Sequence, residues 1–426
     1  MAKRKHRNRY RGPDLTSHLA VEIGDTLELQ AGDFDERGFA TTEYETAPVT
    51  ISGAIPGEKV AAKVVKIYPD RIATLAKNVE CASEHRVQPK CIYFGECSGC
   101  QWQHVDYDRQ LEIKRDIVVR ALSQYGDLRD APVTETLPSP KRFHYRNHAR
   151  FSVGRGDENG IAGYKNADSR RFVRIDECAI MDERINETLS QLQGRLDRMT
   201  QFSIRMGSNT GDTIIQPLLP AEIQDVPSGR QKYIEEVKGA RFQVAASSFF
   251  QVNTAQLSAI VDEIVSVLEL DGNDTLVDLY CGVGTFTRLL SPYVESVVGI
   301  EESASAIEDA KTNCIDVDNV TFIQAKAEFA AVELSQSGQT VDVAIIDPPR
   351  IGCHPQALEA LKTLFPRRIM MVSCNPTTMA RDLNALCESG FRLVSVRPVD
   401  MFPQTKHVES LALLEKCGSK QSSTAS

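Results

Sequence analysis

Two periodicities divide the chain. In its first part apolar and polar residues alternate. VEIGDTLELQ (21–30) does so, and KVAAKVVKIY (59–68) does so again after the turn GAIPGE (53–58). Successive side chains of a strand leave on opposite faces, so alternation bounded by Gly and Pro predicts half-buried strands and turns. Residues 15–80 are therefore expected to form a small β-barrel. Over 107–126 the period lengthens. Leu111, Lys114, Ile117, Val118 and Leu122 recur near helical spacing and Gly126 ends the run, which predicts a helix. Residues 132–240 are mixed, with strands in HARFSVG and TIIQPLL and a helix near 180–198.

From about residue 241 the elements become regular. Asn253-Thr254 offers an N-cap to AQLSAIVDEIVSVLEL, whose Leu257, Ile260, Val261, Ile264 and Leu268 share one face. Short apolar strands follow at TLVDL, SVVGIE, VTFIQ, VDVAIID and RRIMMVSC. Helices are expected at SASAIEDAKTNC and over 376–389, and FRLVSVRPV and VESLALLEK close the chain as strands. Strands alternating with helices predict a parallel, doubly wound α/β sheet, which binds ligands at the carboxyl ends of its strands.

Composition is that of an ordinary globular protein, with 42% apolar and 25% charged residues among 426. No apolar run is long enough to span a membrane. MAKRKHRNRYRGP has no apolar stretch behind its charges, so a cytoplasmic protein is expected. The net charge of −9 argues against a nucleic-acid partner, but its distribution does not. Lys3, Arg4, Lys5, Arg7, Arg9 and Arg11 form a basic arm. Lys141, Arg142, Arg146 and Arg150 are interleaved with Phe143, Tyr145 and Phe151, and Arg170, Arg171 and Arg174 follow. Cations between aromatic rings suit a phosphate backbone with unstacked bases.

Four motifs carry chemistry. Asp278-Leu279-Tyr280-Cys281-Gly282-Val283-Gly284-Thr285-Phe286 leaves a strand and enters a helix, and its glycines let the backbone approach a ligand. About twenty residues on, Glu301 ends the next strand, where a carboxylate can take a ribose hydroxyl. This fits a nucleoside. The missing third glycine favours S-adenosylmethionine over NAD. Asp347-Pro348-Pro349-Arg350 ends the fourth strand and resembles the substrate-side motif of base-modifying methyltransferases. Ser373-Cys374-Asn375-Pro376 ends the fifth, where the following helix N-terminus favours a thiolate. Lys406-His407-Val408-Glu409 precedes the last strand.

Together these parts define a reaction. Carbon 5 of uracil is a poor nucleophile. A thiolate added at carbon 6 makes an enolate that is nucleophilic at carbon 5 and takes a methyl from a sulfonium. A base must then remove the carbon 5 proton before the thiol is eliminated. Cys374 and Glu409 are the candidates for these roles. An amino-methyltransferase of adenine, which would need neither, and a non-catalytic RNA-binding protein are the competing readings.

The chain has 11 cysteines, and Cys91, Cys97 and Cys100 cluster, with Cys178 as a distant fourth. Clustered thiols in a reducing compartment predict a metal site rather than disulfides. The spacing favours a 4Fe-4S cluster over zinc, with Cys81 as a rival ligand.

GAIPGEKV, PKCIYFGECSGCQWQH, FFQVN, DLYCGVGTFT, GIE, DPPR, SCNP and FPQTKHVE, in that order, resemble the motifs of the RNA uracil-5-methyltransferases, most of all the members that modify 23S ribosomal RNA. The resemblance implies a Rossmann-like class I methyltransferase sheet over 241–418. It implies an OB-like barrel of the TRAM type over 15–80 and an α+β, cluster-binding and RNA-binding region over 81–240. A disordered basic arm (1–14) and tail (419–426) complete the expected division. It implies Cys374 as nucleophile, Glu409 as general base, and Gln251, Tyr280, Thr285, Glu301 and Asp347 around S-adenosylmethionine. Thr285 stands where some members have Asn. Cys91, Cys97, Cys100 and Cys178 match the 4Fe-4S segment. The implied partner is RNA, with 23S ribosomal RNA favoured over transfer RNA. Neither DNA nor a membrane is expected to bind, and a monomer is expected.

Overall fold

A computed structural model of the chain describes residues 12–338 and 340–417. All but the last residues of the expected basic arm, and the whole of the tail at 419–426, lie outside these. The fold divides into two units. The first comprises the described residues up to Gln110 with Ser152–Cys178 and Gln404–Lys406. The second comprises Leu111–Phe151, Ala179–Pro403 and the described residues from His407 onward. The region 81–240 is thus shared between them.

In the first unit the alternating segments form β1 (Thr26–Gln30), β2 (Ala40–Tyr44), β3 (Ala47–Ser52), β4 (Lys59–Tyr68) and β5 (Arg71–Cys81). They make one sheet in the order β1-β4-β5-β3-β2. Every pairing is antiparallel except β3 with β5. Leu27, Leu29, Val60, Ala62 and Val64, alternate residues of their strands, are buried together. Glu58 is fully buried at the turn before β4. It accepts from the amides of Ile55 (2.8 Å) and Ser83 (3.0 Å) and pairs with Arg86 at 2.5 Å, so no buried charge is left alone.

Helix α1 (Tyr107–Leu122) follows, then β6 (His148–Val153), β7 (Ala162–Lys165), β8 (Phe172–Arg174) and α2 (Glu183–Leu192). The hairpins β9 (Gln201–Met206) with β10 (Thr213–Gln216) and β11 (Lys232–Val237) with β12 (Ala240–Ala245) lie in the second unit. Helix α3 (Thr254–Leu268) is capped as expected, the Asn253 side chain accepting from the Gln256 amide.

The second unit is built on β13 (Thr275–Leu279), α4 (Thr285–Leu290), β14 (Ser296–Glu301), α5 (Ala304–Asn313), β15 (Val320–Gln324), α6 (Ala327–Gln336), β16 (Val343–Ile346), α7 (Pro355–Leu364), β17 (Arg368–Ser373), α8 (Pro376–Cys387), β18 (Phe391–Val399) and β19 (Glu409–Lys416). The sheet order is β15-β14-β13-β16-β17-β19-β18. The central strands are largely apolar because both faces are covered. Val277, Leu279, Ala344, Ile346, Ile369 and Met371 pack against α1, α6, α7 and α8. Leu276, Val343, Ile345, Met370 and Val372 pack against α3, α4 and the β11–β12 hairpin. Gly299 in β14 has a packing reason, since a Cβ there would lie 2.7 Å from the Phe322 ring.

The sheet departs from the expected all-parallel form at one edge. β19 runs antiparallel to both β17 and β18. A parallel strand needs a crossover, whereas β18 and β19 are joined by the loop 400–408 without a helix, which reverses the chain.

Candidate active site

The loops after β13, β14, β16 and β17 emerge from the same edge of the sheet. The strand order reverses between β13 and β16, which opens a crevice there. Of the sequence-predicted residues of the second unit, Tyr280, Thr285, Glu301, Asp347, Cys374 and Glu409 stand at this edge. Gly284, with φ of 78°, caps α4, and a Cβ there would press on Ala310 at 3.2 Å. Tyr280 also takes a left-handed conformation, with φ of 67°. That is a strained state for an aromatic residue and occurs where surroundings enforce it. Thr285 opens α4 and is half-buried.

Glu301 ends β14. Its carboxylate accepts from the Gly282 amide at 3.1 Å and from the Ser303 amide at 2.8 Å, which holds it against the glycine loop. Asp347 directly follows β16, and its amide donates to the Leu279 carbonyl at 3.3 Å. Gln251 precedes the cap of α3, and its carbonyl accepts from Asn147 at 3.2 Å.

Sequence reasoning passed over Asp278. It is fully buried in β13. One oxygen accepts from the Thr287 hydroxyl at 2.6 Å, and the other has no partner among the described residues. Burial pushes its carboxyl up to about 7. Burial likewise lifts Asp347 to about 7, with Asp278 adding to the effect. Burial thus shifts Asp278 and Asp347 toward their protonated forms.

Cys374 follows β17 directly and is half-buried. The register of β17 on β19 pairs Ser373 with Ser410, and β18 pairs Val399 with Glu409. Cys374 and Glu409 thus come out at the same end of neighbouring strands. Glu409 is 3% exposed. Burial pushes its carboxyl up to about 8, with Asp347 adding to this and Arg350 opposing it. Burial and the Glu409 carboxylate push the Cys374 thiol up, while Arg350 pulls it down, partly through a hydrogen bond. Arg350 stands inside the DPPR motif, but its reach to the thiol was not legible there. Its backbone is fixed from α8, the Arg350 carbonyl accepting from the Asn375 amide group at 2.9 Å and from the Thr378 hydroxyl at 3.3 Å. Asn375 also caps α8, so the turn that presents Cys374 and the loop that presents Arg350 are tied together. Burial raises the thiols of Cys281, Cys314 and Cys353 as well; Arg288 opposes this at Cys314, which still rises to about 11, and Arg381 opposes it at Cys353.

The other expected cluster lies in the first unit. Among the described residues, no group of three or more His, Cys, Asp or Glu side chains is disposed to hold a metal ion. Cys91, Cys97, Cys100 and Cys178 are nevertheless neighbours. Burial raises the Cys100 thiol, and Cys178, Cys97 and Cys91 each raise it further. Cys81 lies exposed at the end of β5.

A doubly wound sheet with a glycine loop, a carboxylate at the end of its second strand and a D-P-P turn at its carboxyl edge is the architecture of an S-adenosylmethionine-dependent methyltransferase. Comparison with known proteins narrows the class. Residues 230–417 match the family model described as tRNA (uracil-5-)-methyltransferase. An uncharacterized RNA methyltransferase of Thermosynechococcus vestitus is 33% identical, over 92% of this chain and 98% of its own length. Another from Halalkalibacterium halodurans is 31% identical, over 93% and 98%. The chain belongs to the RNA uracil-5-methyltransferase family. Its fold is similar to that of the Pyrococcus abyssi tRNA (uracil-54, C5)-methyltransferase, solved with S-adenosyl-L-homocysteine. The TM-score is 0.71 at 24% identity, covering 91% of this chain and 100% of that one. Among the described residues no helix is long and apolar enough to cross a membrane.

Proposed function

We propose that this enzyme methylates carbon 5 of a specific uridine in 23S ribosomal RNA through a covalent Cys374 adduct. The observation that carries the reading is the placement of Cys374 and Glu409 at one end of adjacent strands, with Arg350 against the thiol. The Cys374 thiolate forms a bond to carbon 6 of the uracil, and the ring electrons move to carbon 5. S-adenosylmethionine, as substrate, supplies the methyl group from its sulfonium. The Glu409 carboxylate then takes the carbon 5 proton, and the electrons of that bond expel the Cys374 thiolate. Gln251, Tyr280, Thr285, Glu301 and Asp347 hold the methyl donor. The raised Glu409 carboxyl suits a base working near neutral pH.

The N-terminal sheet is read as the TRAM barrel. Its order, and a single parallel pair between the third and fifth strands, support an OB-like arrangement. Cys91, Cys97, Cys100 and Cys178 are read as 4Fe-4S ligands. The spacing of Cys91, Cys97 and Cys100 and the influence of Cys178 on the Cys100 thiol support this reading. A cytoplasmic monomer completes the reading.

A second reading keeps the chemistry and changes the RNA. The matching family model is described by transfer RNA, and so is the Pyrococcus abyssi enzyme. Nucleoside mass spectrometry of both RNA pools, with and without the gene, decides between them. Loss of 5-methyluridine from 23S RNA alone supports the first reading, loss from transfer RNA supports the second, and no loss in either contradicts both.

A further inference from the structure

The loop that leads from β18 toward Glu409 is held in an unusual way. Three successive carbonyls of it each accept from a buried side chain of a different segment. Met401 accepts from Asn253 Nδ2 at 3.2 Å, Phe402 from Lys114 Nζ at 3.1 Å, and Pro403 from Tyr145 Oη at 3.1 Å. Lys114 also forms an ion pair with Asp400, and both side chains are 0% exposed. Lys114 sits on the apolar face of α1, among positions that otherwise hold Ile and Leu.

A buried ion pair is a weak source of stability, because the cost of removing two charges from water cancels most of their attraction. An apolar pair of similar volume would fold as well. It could not donate to a carbonyl. We infer that Lys114 is a positioning residue, whose ammonium, backed by Asp400, fixes the 400–403 loop so that Glu409 meets the carbon 5 proton of the substrate. Asn253 and Tyr145 complete the anchor. Asn253 makes it shared, since the same side chain caps the helix that follows Gln251.

The inference rests on Glu409 being the base, and it predicts a specific failure. A loosened loop leaves addition and methyl transfer intact and slows proton removal, so the methylated covalent adduct accumulates. The test is the double variant Lys114→Met with Asp400→Leu, assayed beside Glu409→Gln. With its melting midpoint near that of the unaltered enzyme, the double variant is expected to keep its KM for S-adenosylmethionine. It is expected to lose at least about tenfold in kcat, and to show a protein–RNA band that survives denaturing electrophoresis. Unaltered kcat without that band overturns the inference. Should the double variant not fold, Tyr145→Phe removes one O–H and little else. It is expected to show the same band with a several-fold loss of kcat, and an unaltered rate without a band again overturns the inference. If Glu409→Gln itself gives no band, the general-base reading falls, and kcat at constant KM alone then decides the anchor.

Discussion

Ser373 of β17 lies opposite Ser410 of β19, and this one register carries the site. The next pair toward the edge of the sheet is Cys374 and Glu409. A slip of one residue would turn Glu409 to the other face of the strand and separate the proposed nucleophile from the proposed base. The antiparallel strand β19, inserted between β17 and the edge strand β18, is therefore what brings together two residues far apart in sequence.

Cys374→Ala is expected to abolish methylation and adduct formation while leaving S-adenosylmethionine binding unchanged. Turnover by single-turnover assay and donor affinity by calorimetry check both halves. Retained turnover would contradict the covalent mechanism.

Arg350 opposes the upward push on the Cys374 thiol. Arg350→Ala is expected to raise the thiol further, so the thiolate-dependent limb of the pH–rate profile moves to higher pH. The loss at pH 7 is expected to be about tenfold to a hundredfold and to shrink as pH rises. A loss that is uniform with pH would show that Arg350 acts on RNA and not on the thiol.

The raised carboxyl of Glu409 makes a stability prediction. Its folded value, about 8, lies above its unfolded one, so the fold holds an extra proton between them. The protonated carboxyl's contribution is complete below the ordinary carboxyl range and is lost as pH rises through about 8. Glu409→Gln fixes the neutral form. It is expected to melt higher than the unaltered protein above pH 8, by roughly 1–3 kcal/mol, and to match it near pH 4. Equal differences at both pH values would contradict the assignment.

Gly299→Ala tests the packing of the sheet. The added Cβ meets the Phe322 ring at 2.7 Å, so a loss of about 1–3 kcal/mol is expected by denaturant melting. An unaltered midpoint would mean that the ring swings aside freely.

Iron and sulfide analysis tests the first unit. Anaerobically purified protein is expected to carry about four of each per chain, and Cys97→Ser to lose them. Zinc in their place would contradict the cluster.

Much of this was legible in the sequence because it rests on local rules. The Asn253 cap, the apolar stripe of α3, the glycine loop and the strands from β13 to β17 follow from spacing and turn chemistry. The β11–β12 hairpin was not legible. It turns on Lys238 and Gly239, both with positive φ, and the fully buried Glu235 beside the outward Ile234 hides the alternation. Helices α6 and α7 were passed over because alanines dilute their apolar stripes. The direction of β19 was missed because a short strand reads alike in either direction. The roles proposed for Arg350 and Lys114 depend on residues distant in sequence. Lys114 read only as one polar residue in an apolar face, which in hindsight was its signal.

The central claim is a bond between Cys374 and a methylated uracil. It is tested most directly by incubating the Glu409→Gln protein with RNA and methyl-labelled S-adenosylmethionine, digesting the product, and sequencing the labelled peptide by mass spectrometry. The account predicts one peptide containing Cys374, joined to a uridine that already carries the label at carbon 5. Labelled RNA free of protein, or a label on adenine, would contradict it.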